Sequence, residues 1–368
     1  MKIGILTFHC AANFGAVLQA HALQEVLRRM GHEAYVVDYR PKYLTMPYKA
    51  FKYETKGRSV AGYLKSCIRA CLVAPIRWKR NRQFSKFMLN RLRLRPLQKS
   101  NGPAGTDWDA FVFGSDQIWN PRITHGIDPV YAGDFREAAG RKLIAYAASV
   151  GDNSYLEEQD RTALEGIARR FHAVGCREQS LQELFRESFG TKAATVLDPV
   201  LLAGKPVFAP LVRSAGETRP YLLLFQLGRD EAMVRYAERM AKARSLKLVE
   251  VVSSGDSVLN RHLKQTLSVG VFLGYIKGAS WVVTSSFHGT AFSLLFEKQF
   301  AVPYTGGRRD NRIRSLLERA GLEERMVPAD SDPDGVSPID YGPVNDRLQA
   351  CREESLAFLK QALVPQPP

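Results

Sequence analysis

The chain has 368 residues, of which 45% are hydrophobic and 24% charged, and its formal net charge is +15. These are the proportions of a globular protein, and they exclude an intrinsically disordered or collagen-like chain. At about 150 residues per domain, the length predicts two domains. No apolar run approaches the ~18 residues of a spanning helix, and the N-terminus lacks the apolar core of a signal peptide, so we expect a cytoplasmic protein.

Strands and helices are predicted to alternate in two successive runs. The first run has strands at 2–8, 33–38, 108–113, 143–147, 173–176 and 194–197, with helices at 16–30, 157–171 and 178–185. A proline-rich break at 204–220 precedes the second run, which has strands at 221–225, 246–252, 281–284 and 300–302 and helices at 231–244, 271–278, 290–296, 312–319 and 344–363. This alternation predicts two α/β domains with mainly parallel sheets. We place them at 1–204 and 205–342, followed by a helix and tail at 343–368.

The positive charge is concentrated between residues 40 and 99, where 17 Lys or Arg face a single acid, Glu54. Apolar residues recur there at roughly helical spacing, and Pro75 is expected to separate two basic amphipathic helices. We interpret the segment as a basic helical insertion that binds an anionic membrane surface. A solvated face without a partner and an acidic polymer remain alternatives. Nucleic acid is not expected, because no helix-turn-helix, zinc-finger or RNA-binding signature is present.

Ligands of parallel sheets bind beyond the carboxyl ends of the strands, so polar residues that follow strands are the candidate site. Asn13 and Gly15 stand in a loop that opens a helix and presents backbone N–H groups. After the apolar run that ends at Phe113 come Ser115, Asp116, Gln117 and Trp119, a combination typical of a carbohydrate site. The alternative is that Asp116 caps a short helix and Trp119 belongs to the core.

Two further strand ends suit an anion. Arg177 lies where a strand enters a helix, and arginine is preferred for bidentate carboxylate or phosphate contacts, although a local ion pair is equally compatible. Ser285, Ser286, His288 and Gly289 are the strongest candidate, since a helix N-terminus favours an anion and His288 adds a proton donor. Arg308 follows a Gly pair and is a second candidate clamp. The histidines have no spacing that suggests a metal site.

Five segments in this order resemble the polysaccharide pyruvyltransferase family: Asn13–Gln19, Phe113–Asn120, Ala145–Ser149, Val196–Pro199 and Ser285–Thr290. The resemblance implies a fold like that of GT-B glycosyltransferases, with two Rossmann-like domains facing across a cleft. It implies transfer from phosphoenolpyruvate to two hydroxyls of a sugar, giving a pyruvate ketal and free phosphate, without a redox cofactor. It also implies that the histidine of the last segment, His288, is catalytic, and that basic residues hold the donor.

These considerations together predict the roles of the site residues. His288 is expected to act as general acid and Asp116 as base. The phosphoenolpyruvate-binding residues are expected to be Arg177, Ser285, Ser286, His288, Gly289 and Arg308. The acceptor-binding residues are expected to be Asn13, Gly15, Ser115, Asp116, Gln117 and Trp119. The acceptor would be a sugar of a cell-surface glycan or its lipid-linked precursor, which the basic segment would meet at the inner face of the cytoplasmic membrane.

Two other functions are compatible with the sequence. One is a GT-B glycosyltransferase that uses a nucleotide sugar, since the fold would be the same. The other is a non-catalytic protein that binds an acidic glycan or a membrane through the basic segment.

Overall fold

The structure, a computed structural model, describes residues 1–52, 59–97, 108–253, 263–305 and 310–364. Within these ranges the chain forms two parallel β-sheets with helices packed against them. The first sheet contains β1 (Lys2–Leu6), β2 (Glu33–Val37), β3 (Leu94–Arg95), β4 (Ala110–Phe113), β5 (Lys142–Ala148), β6 (Ala173–Cys176) and β7 (Ala193–Thr195). The second contains β8 (Tyr221–Gln226), β9 (Lys247–Val252), β10 (Trp281–Thr284), β11 (Gln299–Tyr304) and β12 (Met326–Pro328).

The strand orders are β3-β2-β1-β4-β5-β6-β7 and β12-β11-β10-β8-β9, with all neighbours parallel. The first order is that of a Rossmann sheet, in which the reversal next to β1 opens a crevice at the carboxyl ends. Central strands such as β4 and β8 are buried at every residue, because helices cover both faces of a parallel sheet. The structure therefore confirms the predicted class of two parallel α/β sheets.

Eight of the predicted helices are present with shifted ends, whereas the short helices at Lys42–Thr45, Pro121–Thr124, Pro199–Ala203 and Lys205–Phe208 were not predicted. The helices are α1 (Phe14–Arg29), α2 (Lys42–Thr45), α3 (Val60–Arg91), α4 (Pro121–Thr124), α5 (Glu158–Arg170), α6 (Gln179–Phe189), α7 (Pro199–Ala203), α8 (Lys205–Phe208), α9 (Glu231–Ala243), α10 (Val269–Gly278), α11 (Phe287–Leu295), α12 (Asn311–Ala320) and α13 (Tyr341–Leu363). No helix within the described ranges combines the length and the apolar character needed to cross a lipid bilayer.

Helix α1 is buried on almost all sides because it lies between the two sheets. Its Phe14 ring stacks on Phe272 of α10, with 4.0 Å between ring centroids, and meets Phe84 of α3 at 5.0 Å. These aromatics belong to one buried apolar cluster that continues through both halves of the molecule. The first half is the part that carries β1–β7, and the second half is the part that carries β8–β12. The cluster fixes the two sheets relative to each other and so fixes the crevice between them.

Helix α3 is continuous through Pro75, so the prediction of two helices separated by that proline is wrong. Proline removes one hydrogen bond and crowds the preceding turn, which normally ends or kinks a helix. Here the inner face is buried both before the proline, at Ala70 and Val73, and after it, at Phe84 and Met88. This packing on both sides of Pro75 outweighs the lost bond.

Helix α13 follows the second sheet but packs on the first. The hydroxyl of Ser355 accepts a hydrogen bond from the backbone N–H of Leu197 at 2.9 Å, and the ring of Phe358 lies 6.3 Å from that of Tyr146. Arg352 donates to the carbonyl oxygen of Leu202 at 2.8 Å.

Strand β7 ends at Thr195 and β8 begins at Tyr221, and the domain limits at 204 and 342 remain a prediction.

Candidate functional site

Strand ends from both sheets meet in the crevice between the two halves. Asp116 follows β4, Arg177 follows β6 and Asp198 follows β7, whereas His288 lies in the first turn of α11, after β10 of the second sheet. Arg177 lies close to the Asp116 and Asp198 carboxylates, and His288 lies close to Asp198 across the crevice. The parallel topology thus assembles one polar site from segments that are far apart in sequence.

Arg177 is the buried cation of this site. The residue is only 4% exposed, yet none of its three guanidinium nitrogens has a hydrogen-bond partner among the described residues. Its Nη2 lies 3.7 Å from Asp116 Oδ1 and its Nη1 3.5 Å from Asp198 Oδ2, both beyond ordinary hydrogen-bond length. The guanidinium also lies over the Phe287 ring, 4.5 Å from its centroid. Its donors are therefore held in place but not used.

Asp198 is the fully buried centre of the site. Its carboxylate accepts hydrogen bonds from the Ser115 hydroxyl at 2.9 Å and from the Val200 backbone N–H at 3.0 Å. His288 Nε2 and Arg177 Nη1 lie 3.6 and 3.5 Å from the same carboxylate. Burial raises the pKa of Asp198, but the charges of His288 and Arg177 and these hydrogen bonds outweigh burial and hold the pKa at about 2.

His288 is oriented by contact with α1. Helix α11 begins at Phe287, three residues earlier than predicted, so that His288 is inside its first turn. Ser286 caps the helix, and its hydroxyl accepts from the Gly289 N–H. The Nδ1 side of the ring rests against Gly15, where a Cβ atom would lie 2.1 Å from Nδ1. The Nε2 side faces Asp198 and has no hydrogen-bond partner among the described residues. Nε2 is thus the nitrogen available to a ligand.

Backbone with positive φ occurs at Asp116 and at Ala147, which lies on the strand next to Arg177. Asp116 itself has φ +79°, and Ala147 at the end of β5 has φ +50°. The pairing of β5 with β6 shifts between Ala145 and Ala148, and the N–H of Arg177 donates to the Ala148 carbonyl oxygen at 3.0 Å. Non-glycine residues in the left-handed region cost free energy and concentrate at functional sites. Asp116 is thus held by a strained backbone, and Arg177 is hydrogen-bonded to the residue that follows Ala147.

A cleft of about 620 Å³ opens beside Asp116. It is lined from the first half by Gln117, Arg122, Gly151, Asp152, Ser154 and Tyr155, and from the second half by Asp310, Asn311 and Arg312. The Arg122 guanidinium lies 3.5 Å from the centroid of the Tyr155 ring.

Two of the charged residues that line the cleft form an ion pair, Arg312 and Asp310. Arg312 Nε donates to Asp310 Oδ1 at 2.9 Å. Burial raises the pKa of Asp310, but Arg312 outweighs it and holds that pKa below its usual range. Mixed donors and acceptors with little net charge suit a polyhydroxylated ligand.

The structure corrects three of the acceptor and donor predictions. Trp119 has no exposed surface and donates from Nε1 to the Tyr131 carbonyl oxygen at 3.0 Å, so it is core and cannot stack on a sugar. Ser115 is equally buried and binds Asp198 instead of a ligand. Gly289 packs against the strand end, where a Cβ would lie 2.4 Å from Thr284 Oγ1, so its role is close packing and not anion approach.

The remaining predicted site residues either cap a helix or line a cavity, apart from Arg308. Asn13 caps α1 by accepting from the Gly15 N–H at 2.8 Å. Ser286 caps α11, while the exposed Ser285 lines a smaller cavity of about 210 Å³ that shares Asp310 with the larger cleft. Gln117 lines the larger cleft. Arg308 lies outside the described residues.

Sequence reasoning missed Asp198, the residue that connects Ser115, Arg177 and His288. The available signal was an acid directly after a predicted strand, within the motif Val196–Pro199. It also missed the support behind Ser115, whose carbonyl oxygen accepts from the Thr7 hydroxyl at 2.8 Å. Thr7 in turn accepts from Gln19 of α1 at 2.7 Å. Over the described ranges, no three His, Cys, Asp or Glu side chains are arranged to hold a metal ion.

The sequence model of the family described as polysaccharide pyruvyl transferase matches residues 13–302, which include Asp116, Arg177, Asp198 and His288. The chain belongs to this family. The prediction of the family is thereby confirmed, and the matched range covers all five motif segments. No protein of curated function matches the chain significantly.

Solved structures with similar folds are sugar-nucleotide enzymes of low sequence identity. An O-GlcNAc transferase variant from Thermobaculum terrenum has 11% identity and a TM-score of 0.50, covering 98% of this chain and 66% of that one. A structure from Listeria monocytogenes described as a UDP-N-acetylglucosamine 2-epimerase has 11% identity and a TM-score of 0.46, covering 100% of this chain and 93% of that one. The Neisseria meningitidis UDP-GlcNAc 2-epimerase has 12% identity and a TM-score of 0.44, covering 98% and 100%. The fold is of the GT-B type, as predicted.

Proposed function

We propose that the protein transfers the carboxyethylidene group of phosphoenolpyruvate to two hydroxyls of a sugar, forming a pyruvate ketal and releasing phosphate. The observation that carries this proposal is the Arg177 guanidinium, which is buried with no hydrogen-bond partner among the described residues. It lies beside the same Asp198 carboxylate as His288 Nε2. A buried cation is costly unless its donors are used, and a carboxylate or phosphate oxygen would use them. Phosphoenolpyruvate would supply both kinds of oxygen.

The chemistry needs one proton donor and two deprotonated hydroxyls. His288 Nε2 would give a proton to the methylene carbon of phosphoenolpyruvate, and a first sugar hydroxyl would add to the adjacent carbon as its proton passes to Asp116. Phosphate would then leave with its bonding electron pair, and the second hydroxyl would take its place on that carbon. The second hydroxyl proton leaves with phosphate, and the proton on Asp116 returns through solvent to His288. The sugar and the donor thus give ketal and phosphate, and both side chains are restored.

The donor carries up to three negative charges, while Arg177 is balanced within the described site by the Asp116 and Asp198 carboxylates. Donor binding therefore calls for further positive charge. Phe287 and His288 contribute first-turn backbone N–H groups that have no acceptor within the helix. Arg308, a donor-binding residue in the sequence analysis, remains a prediction.

The acceptor would occupy the cleft beside Asp116. Its lining of Gln117, Asp152, Ser154 and Arg312 offers donors and acceptors for sugar hydroxyls. The acceptor would be a sugar of a cell-surface glycan or its lipid-linked precursor. The basic segment at 40–99 would bind an anionic membrane surface, the inner face of the cytoplasmic membrane.

Calorimetric titration with phosphoenolpyruvate tests the donor. Wild type should bind, and Arg177→Gln should bind on the order of a hundredfold more weakly, because it loses charge-assisted hydrogen bonds. His288→Ala should abolish phosphate release in the presence of an acceptor. Arg169→Gln is the matched control, since Arg169 is exposed on α5 and pairs with Glu165.

Two results would contradict the proposal. One is wild-type affinity for phosphoenolpyruvate in Arg177→Gln. The other is no binding of phosphoenolpyruvate together with saturable binding of a nucleotide sugar, which would identify a glycosyltransferase on the same fold.

A further inference from the structure

Helix α3 has an outer face that is apolar and uncovered within the described residues. The large apolar side chains on that face have exposed fractions between 53% and 87% and are Val60, Leu64, Ile68, Leu72, Trp78 and Leu89. The first four follow one another at intervals of four residues, so they lie along one side of the helix. The opposite side packs into the protein through Val73, Phe84 and Met88. Exposed apolar stripes of this size mark interaction surfaces.

The charges on α3 specify the kind of partner. The helix contains eight Lys or Arg and no Asp or Glu. Exposed cations accompany the apolar stripe at Lys65, Arg69, Lys79, Arg82 and Lys86, and Arg82 lies over the Trp78 ring at 5.6 Å. A second copy of the chain would bring the same positive charge against this face, which disfavours self-association. An anionic bilayer surface accepts both the apolar side chains and the cations.

The middle of α3 is attached to the rim of the candidate site. Asn81 Nδ2 donates to the Tyr48 carbonyl oxygen, and the Arg80 guanidinium lies 5.4 Å from the centroid of the Tyr48 ring. Phe84 of α3 meets Phe14 at 5.0 Å between ring centroids, and Phe14 directly precedes Gly15, which touches the His288 ring. Arg80 also donates to the Ser253 carbonyl oxygen of the second half. A partner held by α3 is therefore held beside the crevice.

We propose that the outer face of α3 lies on an anionic phospholipid bilayer, with its apolar stripe in the interface and its cations among the lipid phosphates. The surface would present a lipid-linked acceptor to the crevice. This docking deepens the membrane contact of the proposed function and rests on that function for the lipid-linked acceptor, whereas the vesicle contact itself is argued from α3 alone.

Flotation with vesicles tests the docking. At physiological salt, the wild type should float with vesicles that contain phosphatidylglycerol and remain behind with phosphatidylcholine alone. The triple variant Leu64→Ser, Ile68→Ser, Leu72→Ser should partition on the order of a hundredfold less, because it removes three insertable side chains. Leu227→Ser is the matched control, since Leu227 is also exposed but lies in the second half.

Tryptophan fluorescence provides a second readout that reports insertion directly. Trp78 is 60% exposed, whereas Trp108 and Trp119 are buried and Trp281 is half-buried under Arg244. Anionic vesicles should therefore shift the emission to shorter wavelength in wild type, and Trp78→Phe should remove the shift while keeping flotation.

Three outcomes would overturn the docking proposal. They are failure of wild type to float with anionic vesicles, undiminished flotation of the triple variant, and a lipid-free dimer that the triple variant dissociates. The titration with phosphoenolpyruvate is done without lipid, so failure of the donor proposal and failure of the docking proposal are distinguishable. Retained donor affinity of the triple variant shows that it folds.

Discussion

The Arg177 guanidinium illustrates how the site differs from ordinary protein interior. Buried polar groups are normally hydrogen-bonded, because an unused buried donor costs free energy. Arg177 has charged neighbours at 3.5 and 3.7 Å but no hydrogen-bond partner among the described residues. Its neighbours hold the cation in place, while the donors that give directional binding are left for a ligand.

Gly15 is predicted to be essential for the orientation of His288. In Gly15→Ala, the new Cβ would lie 2.1 Å from His288 Nδ1, so the ring must move. A displacement of about 1 Å in a reacting group costs roughly a hundredfold in rate, and we expect that loss in phosphate release. Gly335→Ala is the control, since a Cβ there meets open space. Unchanged turnover of Gly15→Ala would show that His288 need not hold this position.

The lowered pKa of Asp198 predicts that the folded protein loses part of its free energy of unfolding in acid. Although burial raises its pKa, His288 and Arg177 hold that pKa at about 2, below the ordinary 3.8. The ionised form is thus favoured in the folded state, and its contribution of about 2 kcal/mol is complete above pH ~4 and lost as the pH falls toward ~2. Urea unfolding at several pH values should show a smaller loss over this window for Asp198→Asn than for wild type. An equal loss in both proteins would contradict the lowered pKa.

At the scale of elements, α13 is predicted to stabilise the strand end that carries Asp198. Ser355 accepts from the buried N–H of Leu197, one residue before Asp198. Ser355→Ala leaves this N–H without its partner and should lower the free energy of unfolding by about 1–3 kcal/mol. Gln349→Ala, at an exposed position of the same helix, should change it by no more than about 0.5 kcal/mol. Similar values for both variants in urea titrations would argue against this support.

Most of the sheet topology was predictable from the sequence because buried parallel strands are continuous apolar runs. Strands β3 and β12 were not predicted, since they have two and three residues and lack such a run. The helix break at Pro75 was predicted wrongly because local propensity opposes a proline that tertiary packing tolerates. Such packing is not visible in a local pattern.

The candidate site was partly predictable for a related reason. Strand ends identified Asp116, Arg177 and His288, because topology alone brings those positions to one edge. Whether a side chain at such an end faces the crevice or the core depends on three-dimensional packing. Trp119 faces the core, and Asp198 faces the other charged groups. The sequence pattern around these two residues does not distinguish the two directions.

At the scale of the whole molecule, charge is unevenly distributed. Residues 40–99 carry a net charge of 17 − 1 = +16, and the rest of the chain sums to 15 − 16 = −1. The molecule therefore has one strongly basic segment on an otherwise nearly neutral body. Such a distribution steers the approach of an anionic surface and orients the molecule before contact. At low ionic strength this effect extends farther than at physiological salt.

The return of α13 to the first sheet has a consequence for synthesis of the protein on the ribosome. Leu359 and Leu363 are buried, and Phe358 lies against Tyr146 of β5, yet all three are made after the whole second sheet. The first sheet therefore lacks part of its apolar cover while residues 196–340 emerge. Its final packing must wait for that last helix, so the two halves complete their folding together and not one after the other.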